Sequence, residues 1–113
     1  MDCASKMTHD FSYCTAENLK TLNDEKCEDI YGVIYSEHQG EHYITDVHFE
    51  PYESNGRRTG ICLELYEEKE DGSHGRWVSS IYDIITAANY VRFVNRAKAV
   101  IEREILASLS AIA

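Results

Sequence analysis

The sequence predicts an α+β domain. It reads as a four-stranded antiparallel sheet, a meander, with a short N-terminal helix and one long C-terminal helix packed on one face. Three observations predict it. Apolar and polar residues alternate from Tyr31 to Tyr82, the two-residue period of half-buried strands. Turn residues interrupt that alternation at Gln39-Gly40 and again between Glu68 and Gly75. A run from Ile84 to Leu109 contains neither glycine nor proline and repeats its apolar residues at spacings of three and four. The chain has 113 residues, 43% of them hydrophobic. That length fits one domain over 1–113, and that composition is too apolar for intrinsic disorder.

Residues 1–12 show no periodicity and are expected to form a flexible arm. Thr15 then opens a short helix as its N-cap, with Glu17 in the first turn, where the helix dipole favours an acid. Leu19 and Leu22 share one face of it, and Asn23-Asp24 end or kink it. Tyr31 to Tyr35 is the first strand. A turn centred on His38-Gln39-Gly40 leads into a second strand over His42–Glu50, pairing Tyr35 with Tyr43 and Val33 with Thr45. Pro51 is expected to end that strand, and residues 54–60 to form a loop. The third strand runs from Ile61 to about Glu67, and the fourth from Arg76 to Tyr82, with a charged hairpin tip between them.

Asp83 is the expected N-cap of the last helix. Its stripe is Tyr90, Val94, Ala97, Ile101, Ile105 and Leu109, widened by Phe93 and Val100. A helix over 84–109 would be ~39 Å long at 1.5 Å per residue, whereas strands of five to nine residues span only ~17–31 Å. The apolar tail would then overhang the sheet. A homodimer interface through Ile105, Leu109 and Ile112 is therefore expected.

Charge narrows the function. The formal net charge is −9. Residues 1–53 hold 12 acids and 3 bases, while residues 54–113 hold eight of each. Repulsion disfavours direct binding to nucleic acid or to an anionic membrane, and a protein target with a basic surface is the expected partner. No apolar run approaches the ~20 residues needed to span a bilayer. Met1–Lys6 lacks the basic-then-apolar pattern of a secretory signal, so a cytoplasmic location is expected.

No catalytic set assembles from the sequence. It has no H-E-x-x-H, no G-x-S-x-G and no glycine-rich phosphate loop. The cysteines at 3, 14, 27 and 62 form no C-x-x-C pair. A zinc site from Cys3, Cys14, Cys27 and His9 lacks the usual close ligand spacing. No cofactor is expected. Arg92, Arg96 and Arg103 on the last helix read as a salt-bridged surface.

The candidate site is the outer face of the second and third strands. Pairing Glu50 with Cys62 would set His48 opposite Glu64 and Asp46 opposite Tyr66, within reach across the strands. Asp46, His48, Glu50 and Glu64, with Tyr52 and Tyr66 at the rim, would form an acidic, aromatic patch. Eight tyrosines and one tryptophan strengthen an interface reading. The leading expectation is a non-enzymatic protein-binding module, an inhibitor or adaptor. In one version its acidic half fills a basic groove and excludes nucleic acid by charge mimicry, as host-defence antagonists carried by viruses or mobile elements do. The alternatives are a small metal-dependent enzyme or metal-binding protein using His48, Asp46, Glu50 and Glu64, and a structural homo-oligomer built on the C-terminal helix.

Overall fold

Gln39 and Gly40 both take positive φ, 53° and 84°. That is the signature of a two-residue type I′ turn, whose twist matches the strands it joins. His38 therefore stays in the ladder and pairs with Glu41. The computed structural model that shows this describes residues 6–25, 30–52, 58–83 and 90–112; within those spans, the side chains of 21–25, 30, 31, 49–52, 58–60, 82, 83 and 112 are outside the described set. Cys3, Cys27 and the start of the expected helix at 84–89 lie outside the described residues.

The elements, in chain order, are β1 (Thr8–Asp10), α1 (Ala16–Glu25), β2 (Ile30–His38), β3 (Glu41–Tyr52), β4 (Arg58–Glu68), β5 (His74–Asp83) and α2 (Tyr90–Ile112). The five strands form one antiparallel sheet in the order β1-β2-β3-β4-β5. The antiparallel meander and the long C-terminal helix agree with the sequence reading, but the sheet has five strands rather than four. The extra strand, Thr8–Asp10, falls inside the segment expected to be an arm. It pairs with Glu37, Ser36 and Tyr35. Three residues are too few to show a period, so only the pairing reveals the strand.

The tight turn also corrects the first register. Tyr35 lies opposite Ile44 and Ile34 opposite Thr45, one residue away from the expected pairs. A one-residue slip turns a strand over. Ile34 and Ser36 therefore face the core side, while Val33 and Tyr35 face out. β3 runs on through Pro51 to Tyr52, which pairs with Arg58. β2 reaches only as far as His48 along β3. Among the described residues, Pro51 thus sits where β3 has a single neighbour, the edge setting that tolerates a missing N–H.

One face of the sheet carries the core. Ile34, Tyr43, Val47, Ile61, Leu63, Leu65 and Ile81 are buried there against Phe93, Ala97, Val100, Ile101 and Ile105 of α2 and Leu19 of α1. The α2 stripe is the one its spacing predicted, with Tyr90, Val94 and Leu109 half-buried at its margins. Polar bonds tether the same helix. His9 contacts Ser36 Oγ through Nδ1 and Glu102 through Nε2, both at 2.8 Å. Ser79 Oγ donates to Glu104 at 2.8 Å. The Tyr90 hydroxyl donates to the Cys14 carbonyl at 2.6 Å.

Two of the three residues expected at a homodimer interface can be placed. Ile105 has no exposed surface, because it packs on the sheet of its own chain. Leu109 borders the same core, and the Ile112 side chain is outside the described set. The 12-residue β3 reaches ~41 Å at 3.4 Å per residue, and the 23-residue α2 ~35 Å. The strand is thus longer than the expected five to nine residues, and the helix is no longer than the longest strand. No helix among the described residues is long and apolar enough to cross a membrane.

At the start of α1 the cap is reciprocal. Thr15 Oγ1 accepts the Asn18 N–H at 3.3 Å, and Asn18 Oδ1 accepts the Thr15 N–H at 2.8 Å. Just before it, Cys14 is buried, and burial pushes its thiol up to about 12 from 9.0. The folded chain keeps that proton where the unfolded chain loses it. This contribution to stability is complete below pH 9 and is lost as pH rises toward 12, at about 1 kcal/mol per pH unit for one proton. Urea unfolding at pH 7, 9 and 10 is expected to show the decline, and Cys14→Ala to flatten it between pH 9 and 10. An equal slope in that variant would contradict the assignment.

Candidate functional site

The opposite face of the sheet carries titratable and aromatic side chains, while residues of both helices join the core on the other side. Strand alternation puts Asp46 and His48 of β3 on this outer face, with Cys62, Glu64 and Tyr66 of β4. Asp46 lies opposite Glu64, His48 opposite Cys62, and Ile44 opposite Tyr66. Each pair is displaced by two residues from the expected register, and the ladder continues in the same alignment through Gly60 and Thr59 to Arg58. An even shift keeps every residue on its face and changes only its neighbour. Asp46, His48, Glu64 and Tyr66 are therefore brought together as expected, in a different arrangement. Glu50 and Tyr52 belong to β3, pairing with Gly60 and Arg58, and their side chains lie outside the described residues.

Two carboxylates facing each other across adjacent strands repel, and β5 supplies the relief. His74 Nε2 contacts Asp46 Oδ2 at 2.9 Å and Oδ1 at 3.1 Å. Its ring meets Tyr66 edge-on, with centroids 4.7 Å apart. Asp46 is buried at 7% exposure, so His74 is the partner that makes a carboxylate tolerable there. Glu64 is held separately. Its Oε1 accepts from Ser80 Oγ at 2.6 Å and from Trp77 Nε1 at 3.2 Å, and its Oε2 accepts from the Cys62 thiol at 3.5 Å. The Tyr66 phenol is raised above its usual value by burial first, then by Glu64, Asp46 and Cys62.

His74, Trp77 and Ser80 are the functional candidates that sequence reasoning missed. His74 had been placed in a hairpin tip, and two register shifts in the β4–β5 ladder separate it from simple strand counting. The first carries β5 past Val78 and aligns Trp77 with Tyr66. The alternation of Trp77 with Ser79 and Ile81 suggests the core side, yet the indole is 54% exposed and reaches Glu64 on the outer face. A bulge does this by re-aiming one side chain. Cys62 was correctly expected to point outward but was given no role.

His9, an element of the zinc alternative considered above, is engaged by Ser36 and Glu102 on the core side. Cys3 and Cys27 are outside the described residues. The ring nitrogen of His48, the sulfur of Cys62 and a carboxylate oxygen of Glu64 lie within 4.8 Å of one another. No known family, curated protein or solved structure matches this chain.

Proposed function

We propose that this chain is a non-enzymatic protein-binding module, an inhibitor or adaptor that docks the outer face of its sheet on a basic protein surface. One observation carries the reading. The outer face combines Asp10, Glu37, Asp46, Glu64 and Glu68 with Tyr35, Tyr66 and Trp77, and among its described strand side chains there is no lysine or arginine. Aromatic anchors among acids, with no lysine or arginine beside them on the described part of that face, suit a partner rich in arginine and lysine. The excess of acid in residues 1–53 adds a long-range field of the same sign.

Affinity capture from native lysate tests this with two variants. Trp77→Ala combined with Glu37→Lys alters the outer face. Val91→Ala combined with Arg96→Ala alters the exposed side of α2. The expected result is a captured protein that survives the helix change, disappears with the face change and is released near ~1 M salt, where the Debye length falls to about 3 Å. Capture that persists with the face variant and fails with the helix variant would refute the reading.

A further inference from the structure

We propose that His48, Cys62 and Glu64 form a binding site for one divalent metal ion of the zinc class. This goes beyond partner docking and does not depend on it. One imidazole nitrogen, one thiol sulfur and one carboxylate oxygen converge within 4.8 Å of each other. The fold explains the convergence. His48 and Cys62 are cross-strand partners, and Cys62 and Glu64 are two residues apart on the same face of β4.

The surroundings distinguish this set from a chance grouping of polar residues. Ser80 and Trp77 both donate to Glu64 Oε1, which fixes the carboxylate and turns Oε2 toward the Cys62 sulfur. Oriented ligands of this kind are what an outer shell of hydrogen bonds provides at metal sites. Cys62 has no exposed surface, while His48 and Glu64 are half-buried. An ion held here would have sulfur behind it and its remaining position toward solvent, the three-ligand arrangement with one open position.

Donor chemistry narrows the metal. A thiolate disfavours magnesium and calcium, and imidazole with carboxylate disfavours copper(I), which points to a divalent transition metal of the zinc class, for which cobalt(II) is the spectroscopic mimic. Bonds of about 2.0–2.3 Å place tetrahedral donors roughly 3.3–3.8 Å apart, so modest side-chain rotations close the site. On binding, the Cys62 S–H bond breaks, its proton goes to the buffer, and a sulfur–metal bond replaces the hydrogen bond to Glu64. No electron is transferred.

Cobalt(II) titration tests the proposal in the full chain carrying Cys3→Ser, Cys14→Ala and Cys27→Ser, so that Cys62 is the sole thiol. One equivalent is expected to produce a thiolate-to-cobalt charge-transfer band in the near ultraviolet, and added zinc to abolish it. Cys62→Ser is expected to remove the band. His48→Ala is expected to weaken binding at least tenfold, and Ser80→Ala, which removes the shorter of the two hydrogen bonds to Glu64 Oε1, roughly tenfold. His48 is half-buried, so its variant serves even where Cys62→Ser does not fold. No charge-transfer band in excess cobalt, or unchanged affinity in His48→Ala, would overturn the site.

Discussion

Phe93→Ala is expected to lower the unfolding free energy by about 3–5 kcal/mol, the range for emptying a large aromatic site in a packed core. Phe93 has no exposed surface. Its ring meets Phe11 edge-on at 6.5 Å and stacks on Tyr90 at 6.2 Å. It therefore stands where the residue after β1, the first turn of α2 and the sheet come together. Tyr90 carries the connection further, through its hydroxyl on the Cys14 carbonyl. A domain of this size has about 5–15 kcal/mol in total, so the variant forfeits a large part of its stability. The measurement is the urea midpoint, with the slope unchanged if only stability moves. Phe93→Leu, which keeps most of the volume, is expected to lose less. Val91→Ala, on the exposed side of the same turn, is expected to stay within about 0.5 kcal/mol. A loss below about 1 kcal/mol in Phe93→Ala would mean that the start of α2 does not seat on the core as described.

Gly32→Ala is expected to destabilise by about 1–3 kcal/mol through overpacking. A methyl group there would lie 2.8 Å from Cys14 Sγ, 3.1 Å from its Cβ and 3.3 Å from its Cα. The chain before α1 cannot easily retreat, because the Val33 N–H donates to the Tyr13 carbonyl at 3.1 Å, holding that segment against β2. Cys14→Ala removes the closest contact and leaves the Cβ contact. The two substitutions together are therefore expected to cost less than the sum of their separate effects, by on the order of 1 kcal/mol in a double-mutant cycle. Strict additivity would show that Gly32 is needed for some reason other than the approach of Cys14.

The elements that could be read from the sequence are those whose signal is local. Thr15 caps α1 because its hydroxyl reaches a backbone N–H three residues ahead. The α2 stripe is legible because a helical pitch returns side chains to one face every three or four residues. Alternation in β3 and β4 places Asp46, His48, Glu64 and Tyr66 on a common face, and they share it. Thr8–Asp10 was illegible because its pairing, and not its composition, makes it a strand. The contact between His74 and Asp46 spans 28 residues and crosses a ladder whose register shifts twice, so no spacing rule could anticipate it.

By itself, then, the amino-acid order determined which side chains of β3 and β4 share a face and which stripe of α2 is apolar, because pleat and helical pitch act over a few neighbouring residues. Tertiary structure alone decided who stands opposite whom. The positive φ angles at Gln39 and Gly40 and the shifts in β5 set two of the registers, and β3 and β4 align without a break from the Tyr52–Arg58 pair to the Tyr43–Glu67 pair. Those alignments put Cys62 across from His48 and turned Trp77 toward Glu64, because the alignment of two strands depends on the geometry that joins them and not on the residues within either one.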